Sequence, residues 1–442
     1  FIPGSRLNDV VYFNPADTAY PLGFNPLEVT NPNQKTNISS EVIGVLKRMF
    51  GESWGPRLEY ILRYTILALL DRPETTMLDI TRMLTDKNFR KETLGYCRDT
   101  VVLQFWNVEF ASWNDKFVAE AVAPVLNKVG AFTANPIIRN IIGQPKSTFN
   151  IRQIMDEGRI LIVNLSKGLI GEDNAAILGS FLVTKIQLAA MSRSDIPDIR
   201  DRRPFYLYVD EFQNFATDSF ATILSEARKY GLNLTVANQY ISQMNETVRD
   251  AVFGNVGTMI SFRVSADDAP ILAKQFEPNF ESVDLLQMHN RNFVINMVIG
   301  GEKTPAFSAR TLELPPSQAD NTPHIIEHSR RMYSRSREDI EREITAAIMP
   351  NHRPKNQPAQ PRPQAVAAAA LAQPVKKTAS QPAQKTNSAA NTQPATPQAA
   401  TNSGEVILQI RGNNTLNKPA DSTNPAATTT PKKRRRRRKK NT

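Results

Sequence analysis

The chain has 442 residues, of which 40% are hydrophobic, so it is long enough for two or three domains with a sizeable buried core. The net charge of +11 is unevenly distributed along the chain. Residues 351–442 carry 17 lysines and arginines and two acids, whereas residues 1–350 carry 37 lysines and arginines and 41 acids. A single cysteine, Cys97, excludes an intrachain disulfide and a cysteine metal cluster, which fits a reducing cytoplasm. We find no run of about 20 apolar residues and therefore predict no membrane span.

The first 149 residues open with a strand signal and continue with helical patterns. Residues 10–13 form a short β-type run, followed by many Pro, Asn and Asp residues. Apolar residues at helical spacing predict a helix over 57–71, and Pro56 suits its first turn. Further helical periods cover 77–84, 117–129 and 137–142. We expect Pro124 to kink or divide the second of these.

From about residue 147 the pattern alternates between strand and helix. Gly231 follows a predicted helix where a left-handed cap is expected. The predicted strands are 159–165, 205–209, 232–237, 258–264 and 293–299, and the helices between them include 173–191 and 220–230. Such alternation predicts a mostly parallel sheet that helices cover on both faces.

The segment from about residue 350 is rich in Pro, Ala, Gln, Thr and Asn and has few large apolar residues. It is predicted to be disordered because it cannot bury enough apolar surface to offset the entropy of ordering. It ends in nine consecutive cations: Lys432, Lys433, Arg434, Arg435, Arg436, Arg437, Arg438, Lys439 and Lys440. This run could bind nucleic acid, an acidic partner or an anionic membrane face, or be a solvated tail. It contains no aromatic residue for stacking on bases.

Two carboxylates follow the predicted strand 205–209. Asp210 and Glu211 would lie at the carboxyl end of the strand, the edge at which parallel sheets bind ligands. In a nucleotide motor the first acid supports Mg²⁺, usually through water, and the second polarises the attacking water. The alternative is a turn acid that caps the next helix.

Two polar residues downstream fit the same chemistry. Arg228 lies 18 residues after Asp210, at the far end of the intervening predicted helix, and Gln239 directly follows the next strand. An amide at that strand end can sense a γ-phosphate, and an arginine at the helix end can reach a nucleotide held by an adjacent subunit. Alternatively, Arg228 belongs to a solvated helix terminus and Gln239 is a loop amide.

Taken together, the segment 205–239 resembles the coupling-protein ATPases of type IV secretion and conjugation (TraG/TraD-like). This family belongs to the HerA/FtsK branch of RecA-like motors. The resemblance rests on DEF at 210–212, EARKYGL at 226–232 and ANQ at 237–239. Weaker similarity at IPG (2–4), DVVYFNP (9–15), GFNPL (23–27), FRV (262–264) and DDA (267–269) extends it over roughly residues 1–315.

The resemblance implies an α/β fold with a RecA-like P-loop NTPase core that an all-α domain interrupts. The implied domains are a remnant of the nucleotide-binding domain at 1–37, the all-α insert at 38–149, the motor domain with its Walker B-type motif at 150–345, and the tail at 346–442. Asp210 would support Mg²⁺, Glu211 would activate water, and Gln239 would be the sensor. Arg228 would act in trans, and Arg263 would contact the nucleotide.

The family resemblance also implies partners and a location. Coupling proteins work as hexameric rings around DNA and bind ATP and Mg²⁺. They pass single-stranded DNA with its relaxase to a secretion channel, in contact with relaxosome proteins. A membrane-anchored N-terminal segment, which this chain lacks, would hold the protein at the cytoplasmic face of the inner membrane, and the chain itself would be cytoplasmic.

One departure from the family is the lack of a Gly-x-x-x-x-Gly-Lys-[Ser/Thr] phosphate loop anywhere in the chain. In the family this loop precedes the segment that residues 2–15 resemble, so we expect the chain to be truncated before Phe1 and, as printed, inactive on its own. Two alternatives stay open. One is a soluble HerA-like DNA translocase, and the other is a nucleotide-free adaptor that retains the motor fold.

Overall fold

The computed structural model describes residues 2–217, 219–317 and 319–349. The elements of the N-terminal half are β1 (Val10–Phe13), α1 (Lys35–Phe50), α2 (Pro56–Asp71), α3 (Asp79–Thr85), α4 (Lys87–Leu94), α5 (Thr100–Gln104), α6 (Asp115–Thr133), α7 (Pro136–Ile142), α8 (Ile151–Glu157), β2 (Ile160–Val163), α9 (Lys167–Ile170) and α10 (Glu172–Ser192). They are followed by β3 (Phe205–Val209), α11 (Ser219–Glu226), β4 (Leu232–Val236), α12 (Glu246–Asn255), β5 (Met259–Ser261), α13 (Ala269–Phe276), α14 (Ser282–Leu286), β6 (Asn292–Asn296), β7 (Val298–Ile299), β8 (Glu302–Lys303), β9 (Phe307–Arg310), α15 (Thr322–Tyr333) and α16 (Arg337–Ile348).

The local signals of the sequence are largely confirmed. Helix α2 begins with Pro56 in its first turn, and Gly231 adopts a φ of 69° at the end of the helical turn before β4. The predicted division at Pro124 is wrong, because α6 runs unbroken through it. A proline removes one backbone hydrogen bond, and the burial of Val125 and Val129 on the same helix offsets that loss.

The strands form two parallel pairs and one antiparallel sheet. β1 pairs with β2 from Val10 opposite Ile160, and β3 pairs with β4 from Phe205 opposite Leu232. β5, β6 and β9 are antiparallel, so the prediction of a mostly parallel sheet is wrong for the strands at 258–264 and 293–299. An apolar run carries no information on strand direction. The short return from β6 through the β7–β8 hairpin to β9 suits antiparallel neighbours.

Helices cover only one face of the β3–β4 pair in the described part of the chain. Phe205, Leu207 and Val209 face the hydrophobic core that contains α10. Tyr206 and Tyr208 on the other face are 62% and 72% exposed, so the predicted coverage of both faces is not found there. Alternating large apolar and aromatic residues make a strand look buried on both faces even when one face is open.

One large hydrophobic core joins the helices α1–α8 and α10 to the strands β1–β4, and a smaller core lies under β6 against α13 and α14. The domain boundaries suggested by the sequence stay predictions. The two C-terminal helices return to the first strand: the backbone N–H of Tyr12 donates to Ser329 Oγ on α15 at 2.9 Å. On α16, Ile340 and Ile344 pack with Leu78.

Helix α10 and the turn after it, Glu172–Asp195, are by length and composition sufficient to cross a membrane, with a mean hydropathy of 1.5. Helices α6 and α7, which meet at a sharp bend, are together long and apolar enough to cross a membrane, but only if the two are counted as one span. The expectation that no segment is apolar enough is therefore wrong for the described residues. Because 72% of this apolar stretch of α10 is buried inside the protein, its apolar residues belong to the hydrophobic core.

Candidate active site

The loops after β3 and β4 lie side by side because the parallel pairing continues past the strand ends. The backbone N–H of Ala237 donates to Val209 O at 2.9 Å, and the N–H of Phe212 donates to Ala237 O at 2.9 Å. These bonds fix the residue before Phe212 beside the loop that follows β4. The structure thereby brings two sequence-predicted residues, Glu211 and Gln239, into contact.

Glu211 has an uncommon backbone conformation. Its φ and ψ of 47° and 46° lie in the left-handed region, which costs free energy for a residue with a side chain. Its N–H donates to Asp210 Oδ1 at 3.0 Å. Phe212, the next residue, is fully buried with its ring 4.5 Å from that of Phe220. The anchored ring and the bonded strand ends hold the turn that aims the Glu211 side chain.

Three donors hold the Glu211 carboxylate. Gln239 Nε2 donates to Oε1 at 2.8 Å, and Asn214 Nδ2 donates to Oε2 at 3.0 Å. The ammonium of Lys167 lies 3.2 Å from Oε2. Gln239 was predicted from the sequence, whereas Asn214 and Lys167 were not. A carboxylate held by directed donors on both oxygens has a defined orientation, as a group acting on a bound water requires.

Lys167 enters the site from the other strand pair, β1–β2. It directly follows the loop at the end of β2 and begins α9. Its Nζ also lies 3.1 Å from Glu172 Oε1. Burial disfavours the charged amine, but the hydrogen bonds to Glu172 and Glu211 outweigh burial and raise the pKa of Lys167 above its ordinary value. The residue therefore carries a positive charge into the site at neutral pH.

A cavity of about 560 Å³ lies between β2 and β3: apolar side chains of β2, β3 and α10 form most of its wall, and its polar lining includes Lys167, Asp210, Glu211 and Asn214. Within the described ranges, β2 is hydrogen-bonded only to β1, and β3 only to β4, so both strands present a free edge. Gly179 of α10 lines the cavity wall, where a Cβ would lie 2.3 Å from the Phe215 ring. The cavity therefore opens where two strand ends bring polar side chains together.

The donor set at this cavity fits Mg²⁺ better than a metal that proteins enclose fully. Among the residues that the structure describes, no group of three or more His, Cys, Asp or Glu side chains could hold a metal ion. Asp210 and Glu211 are adjacent carboxylates at the cavity wall. Mg²⁺ keeps several waters and is held by one or two carboxylates together with substrate phosphates, which matches a pair of this kind.

The remaining predicted residues are not part of this cluster. Arg228 is exposed and precedes β4, whereas Gln239 follows it, so the length of the strand, about 16 Å, separates them. Arg263 is exposed and follows β5, a strand of the antiparallel sheet. Neither arginine lines the cavity. The nine cations at 432–440 lie outside the described residues.

Comparison with known proteins gives one family match. Residues 204–275, which contain Asp210, Glu211, Arg228, Gln239 and Arg263, match the model of a family described as the TraM recognition site of TraD and TraG. None of the curated proteins compared with the chain matches it.

Solved structures of TrwB, described as a bacterial conjugative coupling protein, are similar to the chain. The trigonal form in complex with sulphate has a TM-score of 0.50 and 14% identity, and the match covers 72% of this chain and 76% of that one. The unbound monoclinic form gives 0.49 and 14%, covering 70% and 74%. The complex with ADP and Mg²⁺ gives 0.49 and 13%, covering 72% and 76%. At such identities the likeness concerns the fold alone. The chain therefore shares a TrwB-like fold with these structures, and its segment 204–275 matches the family segment of TraD and TraG, in agreement with the resemblance found in the sequence.

Proposed function

We propose that the protein is the ATP-hydrolysing core of a conjugative or type IV secretion coupling protein, a motor that moves DNA. The observation that carries this proposal is the Glu211 carboxylate, oriented by Gln239 and Asn214 at the cavity between β2 and β3. A carboxylate that two neighbouring strand ends orient beside an open cavity suits the activation of water better than the capping of a helix.

Each residue of the cluster then has a role. Glu211 orients a water molecule and accepts its proton, and Asp210 supports Mg²⁺ through water. Gln239 links Glu211 to the end of β4, so that a change at the phosphates reaches the carboxylate through one hydrogen bond. When bound, ATP would supply the γ-phosphoryl group that the water attacks, with ADP as the leaving group, and Mg²⁺ would offset the negative charge of the phosphate oxygens. Arg228 and Arg263 do not line the cavity, so we assign them no part in these steps within one subunit.

The similarities support a proposal for the assembly. TrwB is described as a coupling protein, and one of its structures holds ADP and Mg²⁺. By analogy we propose that this protein forms a ring around single-stranded DNA at the cytoplasmic face of the inner membrane. The family description names TraM recognition, so a relaxosome protein of that type is the partner we propose for residues 204–275. The nine-cation run at 432–440 would add affinity for phosphates that does not depend on sequence.

Glu211→Gln tests the proposal in the protein as its gene encodes it. The amide keeps the shape of the side chain but accepts no proton, so we expect ATP turnover to fall about 10²–10⁴-fold while ATP binding persists. Turnover is measured by phosphate release and binding by a fluorescent nucleotide. Glu246→Gln on α12, an 82% exposed side chain, is the matched control and should leave both unchanged. Retained turnover in Glu211→Gln would remove the basis of the proposal.

A further inference from the structure

We propose that Lys167 is a latch on Glu211, a positioning residue that restrains hydrolysis until it moves wholly onto Glu172. This inference rests on the proposed function, since it concerns the regulation of the same site. It assigns a role to a residue outside the matched segment 204–275 and on the other side of the cavity from β3.

The geometry gives Lys167 two alternative partners. Its Nζ lies 3.2 Å from Glu211 Oε2 and 3.1 Å from Glu172 Oε1. The lysine can therefore leave the first carboxylate without leaving its charge unpaired. The Glu172 side chain is 72% exposed and the Glu211 side chain 36% exposed, so solvent screens the pair with Glu172 more strongly. In the state described, the ammonium is shared between the two.

Occupancy of Oε2, the Glu211 oxygen on the cavity side, explains why this sharing restrains hydrolysis: its donors Asn214 and Lys167 line the cavity, whereas Gln239, the donor to Oε1, does not. Gln239 donates to Oε1, while Asn214 and Lys167 both approach Oε2. A carboxylate oxygen has two lone pairs, so these two donors use the capacity of Oε2. Departure of Lys167 frees one lone pair on Oε2 to accept a proton from water. Asn214 and Gln239 keep the carboxylate oriented while this happens.

The segment that carries Lys167 is short and is joined to α10 by a glycine. Helix α9 is only four residues long and is bordered by Gly171, whose φ of 87° suits glycine and joins α9 to α10. Ile170 is buried and anchors one end, whereas Leu169 is 66% exposed. Glu172, the second partner, lies in the first turn of α10. A small movement of α9 relative to α10 therefore changes which carboxylate Lys167 contacts.

Opposite effects of two variants test the latch in the protein as its gene encodes it. Lys167→Gln frees Glu211 and should raise the basal kcat for ATP about threefold, the scale of a partly exposed ion pair. Glu172→Gln leaves Lys167 with Glu211 alone and should lower kcat by a similar factor. KM should stay unchanged in both, and Lys167→Arg should keep the wild-type rate. Lys47→Gln, which removes the lysine of a surface pair with Glu59, is the matched control. An unchanged or lower kcat in Lys167→Gln, or changes of the same sign in both variants, overturns the latch.

A second readout needs neither nucleotide nor turnover. Amines react with acetic anhydride only when deprotonated, so the paired Lys167 should label more slowly than the 61% exposed Lys47. Glu211→Gln and Glu172→Gln should each speed the labelling of Lys167, measured by mass spectrometry. Unchanged labelling in Glu211→Gln contradicts the latch. If Glu211→Gln abolishes ATP turnover but leaves the labelling of Lys167 unchanged, only the latch is contradicted. If Glu211→Gln retains turnover, the proposed function is contradicted.

Discussion

At the scale of single residues, the predicted site residues fall into two groups: those that meet at Glu211 and those that lie elsewhere. Asp210, Glu211 and Gln239 meet at the carboxyl ends of β3 and β4. Arg228 stands at the opposite end of β4, on the exposed turn before Gly231. Because Arg228 does not line the cavity of its own subunit, we propose that it contributes to hydrolysis in a neighbouring subunit of a ring.

Arg228→Ala is therefore expected to abolish ATP turnover and to be rescued in part by mixing with Glu211→Gln subunits. In a random mixture of equal amounts of the two variants, about a quarter of the sites have both an intact Glu211 and an intact Arg228, provided that these residues come from neighbouring subunits. Phosphate release of mixed and separate variants measures this. Absence of rescue in assemblies shown to be mixed would argue against action in trans.

The sequence was enough to predict the position of residues that directly follow a strand. Asp210 and Glu211 directly follow an apolar run, and Gln239 follows the next one, so parallel pairing predicts their proximity. Lys167 could have been found by the same rule, since it comes four residues after β2. Asn214 could not, because its contact depends on the left-handed turn at Glu211. Nothing in the local sequence specifies that turn.

At the scale of elements, one buried arginine ties the end of α10 to the strand pair that carries the site. The Arg193 side chain is fully buried. Its guanidinium donates to Asp156 Oδ1 of α8 at 3.1 Å, to Tyr230 O at 3.0 Å and to Arg203 O at 2.5 Å. The two carbonyls lie just before β4 and β3. Arg193 thereby holds both strand starts against the helix that lines the cavity.

We expect Arg193→Ala to lower the free energy of unfolding by about 3–5 kcal/mol, because it leaves buried acceptors without their donors. The urea midpoint of the transition that includes the core measures the change. Arg200→Ala is the matched control: that side chain is 84% exposed and pairs only locally with Asp198. It should alter stability by no more than about 0.5 kcal/mol. Equal midpoints for the two variants would show that Arg193 does not tie the elements together.

The elements themselves show which parts of a fold periodicity predicts. Helix α10 and the strand β3 were predicted within one residue, because their apolar patterns are long or bounded by turn residues. The direction of strands β5 and β6 was not predicted correctly, because strand direction depends on partners that are distant in the sequence. The open face of β3 at Tyr206 and Tyr208 was missed for the same reason.

At the scale of the whole molecule, the described body and the C-terminal run differ in charge and in the tasks we propose for them. Residues 1–350 carry a net charge of −4, and residues 351–442 carry +15. The helices α15 and α16 return to β1 through Ser329 and to α3 through the contacts of Ile340 and Ile344 with Leu78. ATP hydrolysis would thus belong to the body and phosphate attraction to the run at 432–440.

The measurement that tests this account most directly is the displacement of streptavidin from the biotinylated end of a single-stranded DNA by the protein as its gene encodes it. We predict displacement with Mg²⁺ and ATP, none with a non-hydrolysable analogue, and none by Glu211→Gln, which should still bind the DNA. Displacement that persists in Glu211→Gln, or a wild-type protein that hydrolyses ATP on DNA and displaces nothing, would contradict the account.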